Sequence, residues 1–189
     1  MRFRIKGKAM KAEIKRISEM VDSQTVQRSI HVNDPRVGLP MTQDQEFFKL
    51  FLEDTGLFVT LCFYDREFSD NTIYGSLVRG RLPANLGYVY ENAVAQGLNA
   101  AGYGLFYHTF PKNDSKHKYE IDFVIPSGKK ICPIEVKSSS VSCHASLDAF
   151  IEKHGNDVHR GVVISGKNLR EEDGIVYLPI YMTGLIGRL

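Results

Sequence analysis

The chain has 189 residues, of which 43% are hydrophobic and 24% charged, a composition that fits one globular domain with a buried core and excludes a disordered chain. It contains no run of about 18 apolar residues, and its basic N-terminus lacks the apolar stretch of a secretory signal. We therefore expect a soluble cytoplasmic protein without a membrane partner. The three cysteines include no CxxC pair, which argues against a disulfide framework or a structural zinc site.

Positive charge is concentrated at the N-terminus. The first 20 residues contain seven Lys or Arg and two Glu, whereas the remaining residues contain 17 and 20. A basic segment of this kind either contacts phosphate groups or is a solvated end of the chain. The segment also lacks a long apolar period and contains the turn formers Asn33-Asp34-Pro35. We predict that residues 1–46 form a basic arm or partial subdomain, and that residues 47–189 form the main domain.

The predicted core begins with a dense aromatic and aliphatic run at residues 47–63, followed by a polar stretch at 65–80 that we expect to be a loop with a short helix. A helix is predicted over residues 85–100, with Asn85 suited to its N-cap. Apolar residues recur there at three- and four-residue spacing: Leu86, Val89, Tyr90, Ala93, Val94 and Ala101. Glu91 lies at the margin of this stripe, so its carboxylate can point along the domain interior.

Strand patterns dominate the rest of the chain. Strands are predicted at residues 105–110, 119–125 and 130–137, a helix at 146–154, and further strands at 161–165 and 175–181. The predicted order is therefore α-β-β-β-α-β-β. No linker or internal repeat divides residues 47–189, which indicates a single α/β domain.

Four charged residues stand out on the second and third of these strands. Side chains alternate between faces along a strand, so Glu120 shares a face with Asp122, and Glu135 shares a face with Lys137. If Gly128-Lys129 forms the two-residue tip of a type II′ hairpin, Asp122 lies opposite Glu135 and Glu120 lies opposite Lys137.

This arrangement has two interpretations, and the spacing alone leaves both open. Opposed carboxylates lie about 5 Å apart at Cβ and destabilise a sheet unless a cation offsets them. Mg²⁺ suits such carboxylates, with Lys137 positioning a water molecule or stabilising developing charge during phosphodiester hydrolysis. Alternatively, Glu120 and Lys137 form an ordinary cross-strand ion pair, and Asp122 and Glu135 are solvated edge charges.

The same residues resemble two related groups of proteins. One is the PD-(D/E)XK nuclease superfamily, whose pattern is matched by helix residue Glu91, by Asp122 in Glu120-Ile121-Asp122-Phe123-Val124-Ile125, and by Glu135-Val136-Lys137. The other, more specific, is the uncharacterised C-terminal domain of bacterial and archaeal AAA+ ATPases, over about residues 47–182. Its matching segments are Phe48-Lys49-Leu50-Phe51-Leu52-Glu53-Asp54-Thr55-Gly56-Leu57, Gly87-Tyr88-Val89-Tyr90-Glu91-Asn92, the two strand motifs and Pro179-Ile180-Tyr181.

The resemblance implies a restriction-endonuclease-like αβββαβ core, a central mixed sheet flanked by helices. It further implies that Glu91, Asp122 and Glu135 bind Mg²⁺ or Mn²⁺ and that Lys137 is the catalytic lysine. The implied activity is metal-dependent hydrolysis of nucleic acid, with an AAA+ ATPase module as a possible partner. Which nucleic acid is the substrate stays open, and as a binding partner we expect DNA before RNA.

Two departures keep a second hypothesis open. The ATPase module and winged-helix linker that precede this domain in the family are replaced here by some 45 residues, as expected of a truncated or stand-alone relative. Residues 21–189 are also slightly acidic, whereas a nuclease groove gains affinity by neutralising phosphates. The alternative is a non-catalytic module that binds protein or nucleic acid with the same fold.

Overall fold

The computed structural model describes residues 2–4, 10–62, 75, 86–112, 116–139, 141 and 143–188. The strands among them are β1 (Arg2–Arg4), β2 (Val26–Val32), β3 (Gln43–Leu52), β4 (Phe106–Pro111), β5 (Lys118–Ser127), β6 (Lys130–Lys137), β7 (Gly161–Ser165), β8 (Arg170–Glu172) and β9 (Ile175–Pro179). The α-helices are α1 (Met10–Asp22), α2 (Thr55–Cys62), α3 (Gly87–Ala100) and α4 (Ala145–His154). Short 3₁₀ segments occupy Leu39–Thr42 and Ile180–Arg188.

In the described part of the chain, the nine strands form one mixed sheet in the order β1-β3-β2-β4-β5-β6-β7-β9-β8. The pairs β2/β4, β6/β7 and β7/β9 are parallel, and the other neighbouring pairs are antiparallel. Helix α4 connects the parallel strands β6 and β7, as a parallel pair requires a crossover. The predicted α/β class, a mixed sheet flanked by helices, is confirmed.

The sheet extends into the segment that the sequence assigned to an arm. Strand β2 lies between β3 and β4, and β3 begins at Gln43 rather than near Phe47. Val26 and Val32 are buried, so β2 contributes to the core. The sequence did not indicate β2, because its buried positions include the polar residues Gln27 and Ser29 besides Val26 and Val32, so that no apolar alternation marks the strand.

Two faces of the sheet are covered by different helices. On one face, which we call the α3 face, Val94 and Leu98 of α3 pack with Cys132 and Ile134 of β6. On the other, the α4 face, Leu147 of α4 packs with alternate residues of β7 and β9. Side chains of β6 alternate between these faces, which assigns Glu135 and Lys137 to the α4 face.

The β5/β6 hairpin has the predicted register. Phe123 pairs with Ile134 and Ser127 with Lys130, leaving Gly128-Lys129 as the two-residue tip. Gly128 has φ of 61°, while Lys129 is not among the residues of positive φ, a combination that identifies the type II′ turn. The ladder ends at the pair Phe123–Ile134, so the predicted pairing of Asp122 with Glu135 is not part of it.

Strand β5 contains one extra residue where it passes β4. Phe106 pairs with Val124 but His108 pairs with Ile121, so two steps along β4 match three along β5, as in a β-bulge. Ile121 and Val124 consequently pack in one apolar cluster, whereas Phe123 packs in the cluster of the α3 face. The bulge directs both Asp122 and Phe123 toward the α3 face.

Several boundaries differ from the predicted ones. The last strand ends at Pro179, and residues 180–188 form a 3₁₀ segment instead of continuing the strand. The short edge strand β8 was not predicted, because its three residues are all exposed and carry no apolar alternation. Asn85, the predicted N-cap, and residues 65–74 and 76–80 of the predicted loop lie outside the described residues.

Candidate active site

The acidic residue of α3 lies one turn before the helix residues that pack on the sheet. Glu91 precedes Val94 and Ala95, which are both fully buried, so its carboxylate lies over the strands, with 23% of the side chain exposed. The neighbouring residue Asn92 fixes the helix to β3: its amide accepts a hydrogen bond from Leu52 N at 2.8 Å and donates to Leu52 O at 3.0 Å. These bonds determine which part of β3 faces Glu91.

A buried lysine lies at the centre of the acidic residues. The side chain of Lys49 on β3 is 4% exposed, and its Nζ lies 2.9 Å from Glu120 Oε1, 3.4 Å from Glu91 Oε2 and 3.8 Å from Asp122 Oδ1. The ammonium is also 5.3 Å from the centroid of the Tyr107 ring, within the range of a cation–π interaction. We call Lys49, Glu91, Glu120 and Asp122 the Lys49 cluster.

Asp122 connects this cluster to β6. Its Oδ2 accepts a hydrogen bond from the backbone N–H of Val136 at 2.8 Å, at the point where the β5/β6 ladder of backbone pairs ends after Phe123. The pKa of the Asp122 carboxyl is raised to about 6, chiefly by burial; Lys49 and the Val136 N–H act to lower this pKa, and the negative charges of Glu91 and Glu135 act to raise it. A carboxylate with a raised pKa between other charged groups is typical of functional sites.

Glu135 and Lys137 form a separate pair on the α4 face. Lys137 Nζ lies 2.5 Å from Glu135 Oε1, and these side chains are 27% and 8% exposed. The other oxygen of Glu135, Oε2, accepts a hydrogen bond from Leu147 N at 3.2 Å. Leu147 is in the first turn of α4, whose N–H groups have no partner within the helix. Glu135 therefore caps α4 and places its negative charge at the positive end of the helix dipole.

The start of α4 is held in place by a second set of contacts. His144, which precedes the helix, lies 2.8 Å from Asp148 Oδ1 through Nδ1 and 3.0 Å from the Tyr177 hydroxyl through Nε2. Glu135 and Tyr177 are both paired with Val163 of β7, so the two residues stand in one row across the sheet. The contact between His144 and Tyr177 therefore fixes the N-terminal end of α4, where Leu147 donates its N–H to Glu135.

Residues 86–182 match the model of a domain of unknown function, DUF4143, and these are 97 of the 189 residues. The chain belongs to the DUF4143 family. This domain occurs alongside AAA ATPases, and the match covers Glu91, Asp122, Glu135 and Lys137 but not Lys49.

Other comparisons add little about this member of the DUF4143 family. No curated protein matches the sequence. Among solved structures, the chain is similar to the crystal structure of protein VC1899 from Vibrio cholerae, with 10% sequence identity and a TM-score of 0.33. The alignment covers 100% of this chain and 44% of that protein, so the chain spans less than half of the Vibrio protein's length. No helix among the described residues is long and apolar enough to cross a membrane.

The interpretation of Glu120 and Lys137 as a cross-strand ion pair is wrong, because each of the two contacts a different residue. Glu120 contacts Lys49 rather than Lys137, and Lys137 contacts Glu135. Asp122 and Glu135 are not solvated edge charges, because their side chains are 16% and 8% exposed. The bulge in β5 explains the difference, since it turns Glu120 and Asp122 toward the α3 face while Glu135 and Lys137 face α4.

Lys49 was not predicted as a site residue, although the apolar sequence around it indicates an unusual position for a charge. It stands within Phe47-Phe48-Lys49-Leu50-Phe51-Leu52, where every neighbour is apolar. A lysine in such a run must either be exposed on an edge or have a buried partner. The sequence does not show which carboxylates serve as partners, because they come from α3 and from β5, and two strands separate β5 from β3 in the sheet.

The side chains present fit a hard divalent cation in their chemistry, since Glu91, Glu120, Asp122 and Glu135 all provide carboxylate oxygens. In the described part of the chain, however, no group of three or more His, Cys, Asp or Glu residues is arranged to hold a metal ion. The oxygens of three of these residues surround the ammonium of Lys49 instead. The predicted ligands Glu91 and Asp122 are thus brought together, whereas Glu135 is directed to the other face.

Proposed function

We propose that this member of the DUF4143 family is a metal-dependent phosphodiesterase of the PD-(D/E)XK type that hydrolyses nucleic acid. Glu91 and Asp122 would hold Mg²⁺ or Mn²⁺ together with Glu135, which would have to release the N–H of Leu147 to join them, and Lys137 would act as the catalytic lysine. The observation that carries the proposal is that four largely buried carboxylates and two lysines lie around the end of the β5/β6 ladder. Asp122 lies 3.8 Å from Lys49 Nζ and accepts the N–H of Val136, the residue between Glu135 and Lys137.

Stability alone does not account for so many buried charges. An apolar replacement of a buried ion pair is often as stable as the pair or more so, because desolvation offsets the Coulombic gain. A fold that keeps an aspartate whose pKa is raised to about 6 carries a cost that hydrophobic residues would avoid. Such costs are typical of functional sites.

Each residue has a defined chemical part in the proposed reaction. When bound, a divalent cation polarises the phosphate and lowers the pKa of a water ligand. Asp122 is suited to bind it because one carboxylate oxygen is already fixed by Val136 N–H. Glu135 holds the ammonium of Lys137 beside it, where Lys137 can orient the attacking water or stabilise the negative charge that develops on the phosphate.

The proposed substrate is DNA rather than RNA, and the proposed partner is an AAA+ ATPase in the cytoplasm. Support comes from the family, because DUF4143 domains occur alongside such ATPases. The basic residues of the N-terminal segment are suited to phosphate contacts that a slightly acidic main domain would not supply. An isolated chain that binds DNA should therefore lose affinity as the salt concentration rises.

A non-catalytic binding module is the second candidate, and specific contacts favour it. Lys49 already compensates part of the charge of Glu91, Glu120 and Asp122. Glu135 already has a structural role as the cap of α4. In this alternative the charges fix the packing of α3, α4 and the sheet, and no substitution among them would affect DNA binding except through stability.

The deciding experiment measures cleavage of single- and double-stranded DNA and RNA with Mg²⁺ or Mn²⁺. Glu135→Gln is the informative variant, because the amide oxygen can still accept the Leu147 N–H while the negative charge is lost. Lys137→Met removes the catalytic ammonium and keeps the aliphatic stem. Glu152→Gln, an exposed residue of α4, is the matched control, and all proteins are purified identically.

Metal-dependent cleavage that is lost in both site variants and retained in Glu152→Gln would establish the nuclease. A loss of at least a hundredfold is expected, since general acid–base and electrostatic groups each contribute on the order of 10² or more. Cleavage that survives both substitutions would reject the assigned residues. DNA binding without cleavage under every condition would favour the binding module.

A further inference from the structure

A pocket lies beside the turn of the β5/β6 hairpin, on the α3 face. Its floor includes the buried side chains of Ile125 and Cys132, and its rim includes the exposed residues Gly128 and Gly187. The cavity measures about 140 Å³, on the order of ten times the space that one water molecule needs. It can therefore hold a small ligand or the end group of a larger one. We call it the Arg160 pocket, after the charged residue that lines it.

The backbone that carries Arg160 is held against the sheet. A Cβ added at Gly161 would contact two side chains of α4, so Gly161 faces α4 and the preceding residue, Arg160, faces the α3 side. His159 donates its backbone N–H to Ile131 O at 2.8 Å, which attaches this segment to the start of β6. The guanidinium is thus presented to the pocket from a fixed position.

The positive charge of Arg160 is not compensated. Its side chain forms no ion pair or hydrogen bond within the part of the chain that the structure describes, whereas Arg36 contacts Asp34. None of the described residues that line the pocket is Asp or Glu. The thiol of Cys132 is neutral, because burial raises its pKa to about 12 against the opposing effect of Arg160. A half-buried guanidinium without a counter-charge attracts an anion into the pocket.

Two hydroxyl groups add uncharged hydrogen-bond donors. The ring of Tyr103 packs against the apolar cluster of the α3 face, and its hydroxyl lies so close to Gly187 that an added Cβ would collide with it. The Ser127 hydroxyl lies 2.7 Å from His159 Nδ1. When this nitrogen carries the proton, the O–H of Ser127 is free to donate into the pocket.

The three donors come from different elements: Arg160 from the start of β7, Ser127 from the end of β5 and Tyr103 from the segment after α3. A planar carboxylate can be bound by one arginine alone, through two parallel hydrogen bonds. Donors on several sides of a cavity suit a tetrahedral oxyanion, which accepts hydrogen bonds in several directions. Arginine, tyrosine and serine side chains are all common partners of phosphate oxygens.

We propose that the Arg160 pocket binds a terminal phosphate group, with Arg160 as its counter-charge and Tyr103 and Ser127 as further donors. A cavity with a closed floor admits the end of a molecule and not a backbone that continues on both sides. The same phosphate chemistry is offered by the end of a nucleic acid and by a free nucleotide or inorganic phosphate. The inference goes beyond the proposed function, because it needs no metal ion and Ser127 is about 17 Å along β5 from Asp122.

Isothermal titration calorimetry of the full chain tests the pocket, with inorganic phosphate and adenosine 5′-monophosphate as ligands in metal-free buffer. Adenosine and acetate are matched compounds that lack the phosphate. Arg160→Met should weaken phosphate binding by about tenfold or more, because it removes the charge-assisted hydrogen bonds. Tyr103→Phe should weaken it roughly threefold. Arg16→Met, which replaces an exposed arginine of α1, is the control and should bind as the wild type does.

Oligodeoxynucleotides of one sequence, with a phosphate at the 5′ end, at the 3′ end or at neither end, separate the two sources. Tighter binding of a phosphorylated oligonucleotide by the wild type but not by Arg160→Met supports the proposal and assigns the pocket to a nucleic-acid end. Equal binding of all three, together with phosphate binding that Arg160→Met loses, supports the proposal with a free nucleotide or inorganic phosphate as the ligand.

Three results would overturn the inference: no saturable binding of phosphate or adenosine 5′-monophosphate, unchanged affinity in Arg160→Met, or acetate bound as tightly as phosphate. If circular dichroism shows that Arg160→Met is unfolded, Arg160→Lys and Tyr103→Phe decide. Lysine keeps the charge but not the planar fork of donors, so wild-type affinity in both of these variants would also overturn the proposal. Cleavage is not measured here, so failure of the phosphate pocket leaves the proposed nuclease standing, and the reverse also holds.

Discussion

His108 should make the protein sensitive to mild acid. It lies on β4 and is 5% exposed, with its Nδ1 bonded to Val32 O at 2.7 Å. Its ring is stacked on that of His31 with centroids 5.7 Å apart and contacts the ring of His154 edge-on at 6.1 Å. Burial lowers the pKa of His108 to about 4; the Val32 carbonyl opposes this shift, and the positive charges of His31, His154 and Lys153 reinforce it.

The sign of the pH effect follows from the lowered pKa. The unfolded chain takes up a proton on His108 near the ordinary pKa of 6.5, whereas the folded chain does so only near 4, so stability is retained above 6.5 and lost as the pH falls from 6.5 toward 4. The difference between these two pKa values corresponds to about 3 kcal/mol in the free energy of unfolding. About 2 kcal/mol of this stability is lost as the pH falls from 7.5 to 5.

The test compares urea unfolding of the wild type and His108→Asn at several pH values between 5 and 7.5. Asparagine retains an N–H donor for the Val32 carbonyl and cannot titrate, so the variant should lose about 2 kcal/mol less stability over this range than the wild type. The carboxylates of the chain are present in both proteins and cancel in the comparison. His159→Asn, which replaces an exposed histidine, should reproduce the wild-type profile. Parallel profiles for the wild type and His108→Asn would refute the reasoning.

Three further predictions concern the elements that position the site. Gly128→Ala should destabilise the protein by about 1 kcal/mol in thermal unfolding, because the φ of Gly128 is 61°, which alanine adopts only with strain. Nothing lies within 4 Å of an added Cβ, so a steric clash would not contribute. Gly184→Ala, equally open but without positive φ, should not destabilise the protein. Asn92→Leu should cost about 2–4 kcal/mol in urea unfolding by leaving both backbone groups of one β3 residue unpaired, and a cost under 0.5 kcal/mol would contradict the assigned hydrogen bonds. Glu135→Ala should destabilise by about 1 kcal/mol through loss of the α4 cap, whereas Glu135→Gln should retain most of that stability; equal losses would exclude capping.

Local patterns were sufficient to predict the hairpin and the order of the later elements. Turn chemistry at Gly128-Lys129 determines the register of β5 and β6, and the structure has the same register. Helix α3 and strands β4 to β7 also lie close to their predicted positions. In each of these segments the apolar period extends over enough residues, or the turn is specific enough, for neighbours in sequence to determine the outcome.

The faces of the charged residues could not be predicted in the same way. The prediction that Asp122 faces Glu135 assumed a regular strand, but the extra residue in β5 depends on pairing with β4. Nothing within Tyr119–Ile125 signals that bulge, because it arises from a neighbour about 15 positions earlier. The capping of α4 by Glu135 similarly depends on how the helix returns across the sheet. The errors in the predicted positions of these side chains therefore came from tertiary contacts that the local sequence does not show.

The Lys49 cluster lies on the α3 face and the Glu135–Lys137 pair on the α4 face, and this separation affects how the proposed metal site would work. Asp122 is placed to respond to both sets, since one oxygen faces Lys49 at 3.8 Å and the other is bonded to the backbone of Val136, between Glu135 and Lys137. A cation held beside Asp122 would oppose the burial that raises the Asp122 pKa. Glu135 could approach that cation only by releasing the N–H of Leu147. Metal binding and the position of α4 should thus be coupled, and Glu135→Gln should bind Mn²⁺ less tightly than the wild type. Equal Mn²⁺ affinity in Glu135→Gln and the wild type would exclude Glu135 as a ligand.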